Sequence, residues 1–77
     1  MKILRTLNHI DATNTKPYGV ILEDHDDEYF DALKWCHSNF GGRHIYFTQA
    51  SKKRCFYAWF DIEANRNWFV LRWGHIL

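Results

Sequence analysis

Proline occurs once in this chain, glycine four times and cysteine twice, and each scarcity removes a class of answer. So little proline and glycine, against a 47% share of hydrophobic residues, excludes a collagen-like or low-complexity chain. Two cysteines in 77 residues do not make a disulfide framework. Cys36 and Cys55 are expected on surfaces that do not face each other, as free thiols in a reducing compartment. An excess of charge is missing as well. The formal net charge is +1, which excludes a global electrostatic pull toward nucleic acid or a membrane surface. No apolar run reaches membrane length or makes a signal peptide, so a cytoplasmic protein without membrane contact is expected. His9, His25, His37, His44, His75 and the two cysteines never fall at C-x-x-C or H-x-x-x-H spacing, and no metal or other cofactor is expected.

Aromatic residues are what the chain has in plenty: fourteen of its residues are Phe, Tyr or Trp. They supply a dense core for one domain, residues 1–77, near the lower size limit for folding without metals or disulfides. Charge is unevenly spread. Six of the nine acidic residues lie between Glu23 and Asp31, while Lys52, Lys53 and Arg54 form a basic run. The molecule is expected to be dipolar.

Ile3, Leu4, Leu7 and Ile10 fit an edge strand as well as a helix turn, and a strand is favoured. A polar loop, 11–17, ends at Pro17 and leads into a short buried strand at 18–22, which suggests an N-terminal hairpin. A helix is predicted over 26–40, with acids at its start and Gly41 and Gly42 after its end. Its core face carries Tyr29, Leu33, Cys36 and Phe40, flanked by Phe30 and His37, and Trp35 points outward. Three aromatic segments follow, 43–48, 54–61 and 67–73, joined by connections of hairpin length. Read as strands, they place Ile45, Phe47, Phe56, Ala58, Phe60, Phe69, Leu71 and Trp73 on one face. The opposite face carries His44, Tyr46, Thr48, Cys55, Tyr57, Trp59, Asp61, Trp68, Val70 and Arg72. The expected architecture is α+β: a mostly antiparallel sheet in the order ββαβββ, with a C-terminal three-stranded meander and one helix packed on one face.

One helix covers one face, so Tyr57, Trp59 and Trp68 need another cover. Each such ring can bury roughly 150 to 250 Å², so the three offer on the order of 600 Å², the upper edge for a soluble monomer's largest apolar patch. The N-terminal segment folding over them is one solution, and a partner or a second copy of the chain is another.

Chemistry is thinly represented. The pair the pattern offers for nucleophilic catalysis is Cys55 with His44, on neighbouring strands and one face, with no orienting carboxylate or oxyanion donors at hand. A non-enzymatic role is expected. Binding is better supported: Tyr46, Tyr57, Trp59, Trp68 and Arg72 are the residue types that dominate interface hot spots. Trp35, Asp27 and Asp31 make a second patch. The leading expectation is a protein-binding module, an inhibitor or adaptor that occludes a partner's surface. By analogy with small blockers encoded by phage and mobile elements, the partner is a host nucleic-acid-handling complex, as for anti-CRISPR or anti-restriction proteins. The alternative is single-stranded RNA or DNA on the same rings, with Lys52, Lys53 and Arg54 as phosphate contacts. The run 53–60 begins like the central strand of an RNA recognition motif, yet Cys55 stands at its glycine position and Tyr57 at its small one. That family is not carried over.

Overall fold

The computed structural model describes residues 1–9, 15–50 and 52–74. Strands β1 (Lys2–Asn8) and β2 (Tyr18–Glu23) lead into helix α1 (Tyr29–Phe40). A 3₁₀ turn (Gly42–His44), β3 (Ile45–Gln49), β4 (Cys55–Phe60) and helix α2 (Glu63–Trp73) follow among the described residues. The four strands form one antiparallel sheet in the order β1-β2-β4-β3. The α+β class, the antiparallel sheet and the N-terminal hairpin thus match the reading of the sequence.

Strand pairing sorts the side chains into rows across the sheet. On one face lie Thr6, Val20, Ala58 and Phe47 in one row, Ile3, Leu22, Phe56 and Gln49 in the next, and Asn8, Tyr18, Phe60 and Ile45 in a third. Most of these are apolar, and Val20, Leu22, Ala58, Phe60 and Ile45 are buried. Both helices pack on this face, α1 over β3 and α2 over β1, β2 and β4. Ala32 and Cys36 of α1 and Phe69 and Trp73 of α2 close the core. The Phe60 and Phe69 rings meet at 5.5 Å, both fully buried, and each burial stabilises the fold by about 1.5–3 kcal/mol.

The last element corrects the expected meander: 67–73 lies within a helix, where a third strand was expected. Seven residues containing the continuous apolar run Trp68-Phe69-Val70-Leu71 satisfy both periods, so alternation alone is not diagnostic. Extending the window back to Glu63 resolves it. Arg66, Phe69, Val70 and Trp73 recur at the i, i+3, i+4, i+7 spacing, and Arg66, Phe69 and Trp73 are the buried residues of α2. Leu71, expected in the core, is 77% exposed. The order ββαββα also differs from the βαββαβ order of the RNA recognition motif.

Helix α1 begins three residues later than expected, because the acidic stretch before it serves as a cap. Asp24 is buried, and its carboxylate accepts the backbone N–H groups of Glu28 at 3.0 Å and Tyr29 at 2.8 Å. Asp26 and Glu28 pair with the Met1 ammonium. Half of the acidic cluster is therefore engaged in holding the start of α1 and of β1.

Candidate functional site

With both helices on one side, the opposite face of the sheet is uncovered by any helix among the described residues. Register brings two rows together there. Leu7, Gly19, Trp59 and Tyr46 form one; Arg5, Ile21, Tyr57 and Thr48 form the other. A third, at the sheet's end, holds Lys2, Glu23 and Cys55. Tyr46 is 58% exposed, and Tyr57 and Trp59 are half-buried with rings near-parallel at 6.3 Å and 24°. Gly19 lets the Trp59 indole lie flat on the strand: a Cβ there would fall 2.5 Å from the ring's Cζ3 atom. The His9 ring meets Trp59 edge-on at 6.4 Å. At this end His9, Thr15, Lys16, Tyr46 and Trp59 line a shallow cleft of about 370 Å³.

The N-terminal segment does not fold over these rings. As the outermost strand it divides its apolar residues: Ile3 packs against the core, Leu7 approaches Gly19 on the open face, and Leu4 is exposed where the register shifts. Ile10 lies outside the described residues. Sequence reasoning missed Arg5, Leu7 and Ile21 as members of the face. The signal was the period-2 pattern of β1 and β2, which pairs them with the aromatics of β4 once the strand order is known.

Of the predicted site residues, Tyr46, Tyr57 and Trp59 are brought together. Trp68 and Arg72 are not. Both sit on α2, on the opposite side of the sheet, because their segment is helical. Arg72 lies over the Trp73 ring at 4.3 Å. Trp68, 52% exposed, meets Trp35 at 5.9 Å and Phe40 at 5.8 Å. Trp35 is accordingly half-buried between the helices instead of outward-facing, touching Phe40, Trp68 and Trp73. The expected second patch of Trp35, Asp27 and Asp31 does not form as one unit. Asp31 is exposed on the first turn of α1, and Asp27 is 93% exposed and lies 3.7 Å from Arg54.

The basic run also faces elsewhere. Lys52 and Lys53 are exposed in the β3–β4 turn, but Arg54, at φ 64°, turns toward Asp24 and Asp27 at the start of α1. The Cys55 and His44 pair is dismantled by the same topology. His44 precedes Ile45, which stands opposite Phe60, whereas Cys55 is at the other end of β4, about 16 Å away at roughly 3.3 Å per residue. His44 Nδ1 instead lies 2.6 Å from an Asp61 carboxylate oxygen. Cys36, the other thiol, is fully buried, and desolvation pushes it up to about 12, so it stays protonated and unreactive. Among the described residues no cluster of three or more His, Cys, Asp or Glu has metal-binding geometry, and no helix is long and apolar enough to cross a membrane. Comparison of the chain with protein-family models, with curated proteins and with solved structures gives no match.

Proposed function

We propose that the chain is a non-enzymatic protein-binding module that docks through the open face of its sheet. The observation that carries this reading is the two-row surface of Leu7, Trp59 and Tyr46 beside Arg5, Ile21 and Tyr57, on the side away from both helices. Tyr, Trp and Arg are the side chains from which interface hot spots are built, and a four-stranded sheet holds them rigidly at low entropic cost. The cleft beside Trp59 and Tyr46 would accept one side chain of the partner. Small size and an uneven charge distribution support the narrower form, an inhibitor or adaptor that occludes a surface of a nucleic-acid-handling complex. That last step rests on analogy of size and composition.

Single-strand binding on the same face is the second reading, favoured by the near-parallel Tyr57 and Trp59 rings, with Arg5 at the edge of the same face in the row of Tyr57. The turning of Arg54 toward α1 weighs against it. Both readings meet one experiment. Immobilised wild-type protein is expected to retain a partner from cells of its own host, and a folded Tyr46→Ala/Trp59→Ala variant to lose at least ~90% of it, a difference of ~1.4 kcal/mol or more. Trp68→Ala should retain it fully. Undiminished capture by the double variant would overturn the sheet-face reading. A labelled oligonucleotide bound at low salt, with affinity falling log-linearly as salt rises, would favour the nucleic-acid reading.

A further inference from the structure

A second concavity lies on the far side of the molecule, where the β3–β4 turn meets the start of α1. Its volume is about 600 Å³, within the ~300–1,000 Å³ range of small-molecule sites. Three aromatic rings line it. Tyr29 stacks on Phe56 with centroids 4.3 Å apart and planes 25° from parallel, and Phe30 meets Tyr29 edge-on at 5.4 Å. Phe30 is 75% exposed, an apolar ring that folding leaves largely in water.

Asp24, Asp27, Lys53 and Arg54 leave the rim without formal net charge, but the four groups are not equally free. Both oxygens of Asp24 are taken by the amides of Glu28 and Tyr29, so this carboxylate is spent on capping the helix. Asp27 is 93% exposed, and its contact with Arg54, at 3.7 Å, is the kind of surface pair worth only ~0–1 kcal/mol. Lys53 is exposed. The positive end of the rim is therefore available to an anion, Arg54 at the small cost of releasing Asp27 and a long, 3.5 Å hydrogen bond to the Asp24 carbonyl. Asp27 and Arg54 both hold left-handed backbone, φ 57° and 64°, without being glycine, the kind of local strain that concentrates at ligand sites. Gln49, also lining the cleft, adds an amide able to donate and accept in the plane of a bound ring.

We propose that this cleft binds a small planar ring carrying an anionic head group, with the ring against Phe30 and Tyr29 and the anion on Lys53 and Arg54. The site is independent of the sheet face and does not rest on the function proposed for it.

Indole-3-acetate and adenosine 5′-monophosphate are the probes, titrated into the full chain and followed by amide NMR shifts and calorimetry, with indole and inorganic phosphate as partial ligands. The expected result is saturable 1:1 binding of at least one probe, shifting the amides of Phe30, Gln49, Lys53 and Arg54. Indole or phosphate alone should bind at least tenfold more weakly. Which probe binds distinguishes an aromatic carboxylate from a nucleotide. Phe30→Ala and Lys53→Glu change exposed side chains, so both should keep the wild-type melting temperature while weakening the bound probe at least tenfold. Neither probe saturating, indole binding as tightly as indole-3-acetate, or either variant binding like wild type would overturn the assignment.

Discussion

The indole of Trp59 rests on the bare backbone of Gly19, its cross-strand neighbour, so closely that a Cβ at position 19 would come within 2.5 Å of Cζ3 and 2.7 Å of Cε3. Two effects of Gly19→Ala oppose each other. Removing a strand glycine gains roughly 0.5–1 kcal/mol of backbone entropy, whereas overpacking costs typically ~1–3 kcal/mol. At 2.5 Å the clash wins, because the obstructing atoms belong to a rigid ring. Gly19→Ala is expected to destabilise the protein by about 1 kcal/mol, lowering the melting temperature by roughly 4–8 °C, and to lift Trp59 off the sheet. In a Trp59→Ala background the ring clash is gone and the same change should be neutral to slightly stabilising. A double-mutant cycle measures the coupling, and additive effects would mean that the two residues do not restrain each other.

How much of this was legible in the sequence depends on how many periods a segment samples. The 45–60 stretch holds two strands that alternate cleanly, so Phe47, Ala58 and Phe60 on the inside and Tyr46, Tyr57 and Trp59 on the outside follow from the pleat alone. The 67–73 segment was too short to separate a period of 2 from one of 3.6, and the misreading moved Trp68 and Arg72 to the wrong side of the sheet. Trp35 failed for a connected reason. Whether a helical residue is covered depends on what packs beside its helix, and α2 was not anticipated. Strand order is the remaining gap: pairing β2 with β4 is a long-range choice that leaves no local mark, yet it places Ile21 beside Tyr57 and Gly19 beneath Trp59.

Alkaline pH should loosen the start of the fold. The Met1 ammonium donates a hydrogen bond to Glu28 and another, of 3.1 Å, to Asp26, and chiefly the bond to Glu28 raises its pKa above the ordinary 8.0. A group whose folded pKa is raised contributes stability in full below its unfolded pKa and loses it as pH rises through the folded one. Urea unfolding is therefore expected to show stability falling from pH 8 upward, and Glu28→Gln, which weakens the ion pair, should flatten that decline. Parallel profiles for the two proteins above pH 8 would show that the pairing with Glu28 contributes nothing to this decline.

Arg66 joins α2 to β1 through a buried guanidinium. It is only 7% exposed, yet its guanidinium is well supplied with acceptors. Nη1 donates to the Leu7 carbonyl at 3.3 Å and to Asn8 Oδ1 at 2.8 Å, Nε donates to Asn67 Oδ1 at 2.8 Å, and Nη2 lies 3.6 Å from Glu63. The group also sits 5.7 Å from the centroid of the Tyr18 ring. Truncation removes the buried donor to the Leu7 carbonyl together with the contacts to Asn8, Asn67 and Glu63, so Arg66→Ala is expected to cost about 2–4 kcal/mol. Lysine has the charge but not the planar fork, and Arg66→Lys should recover less than half of that loss. If the coupling runs through β1, Asn8→Ala should be nearly silent in the Arg66→Ala background while costing about 1 kcal/mol in wild type, as measured by urea unfolding. An equal cost in both backgrounds would place the role of Arg66 within its own helix, with Glu63 and Asn67, and leave the docking of α2 to Phe69 and Trp73.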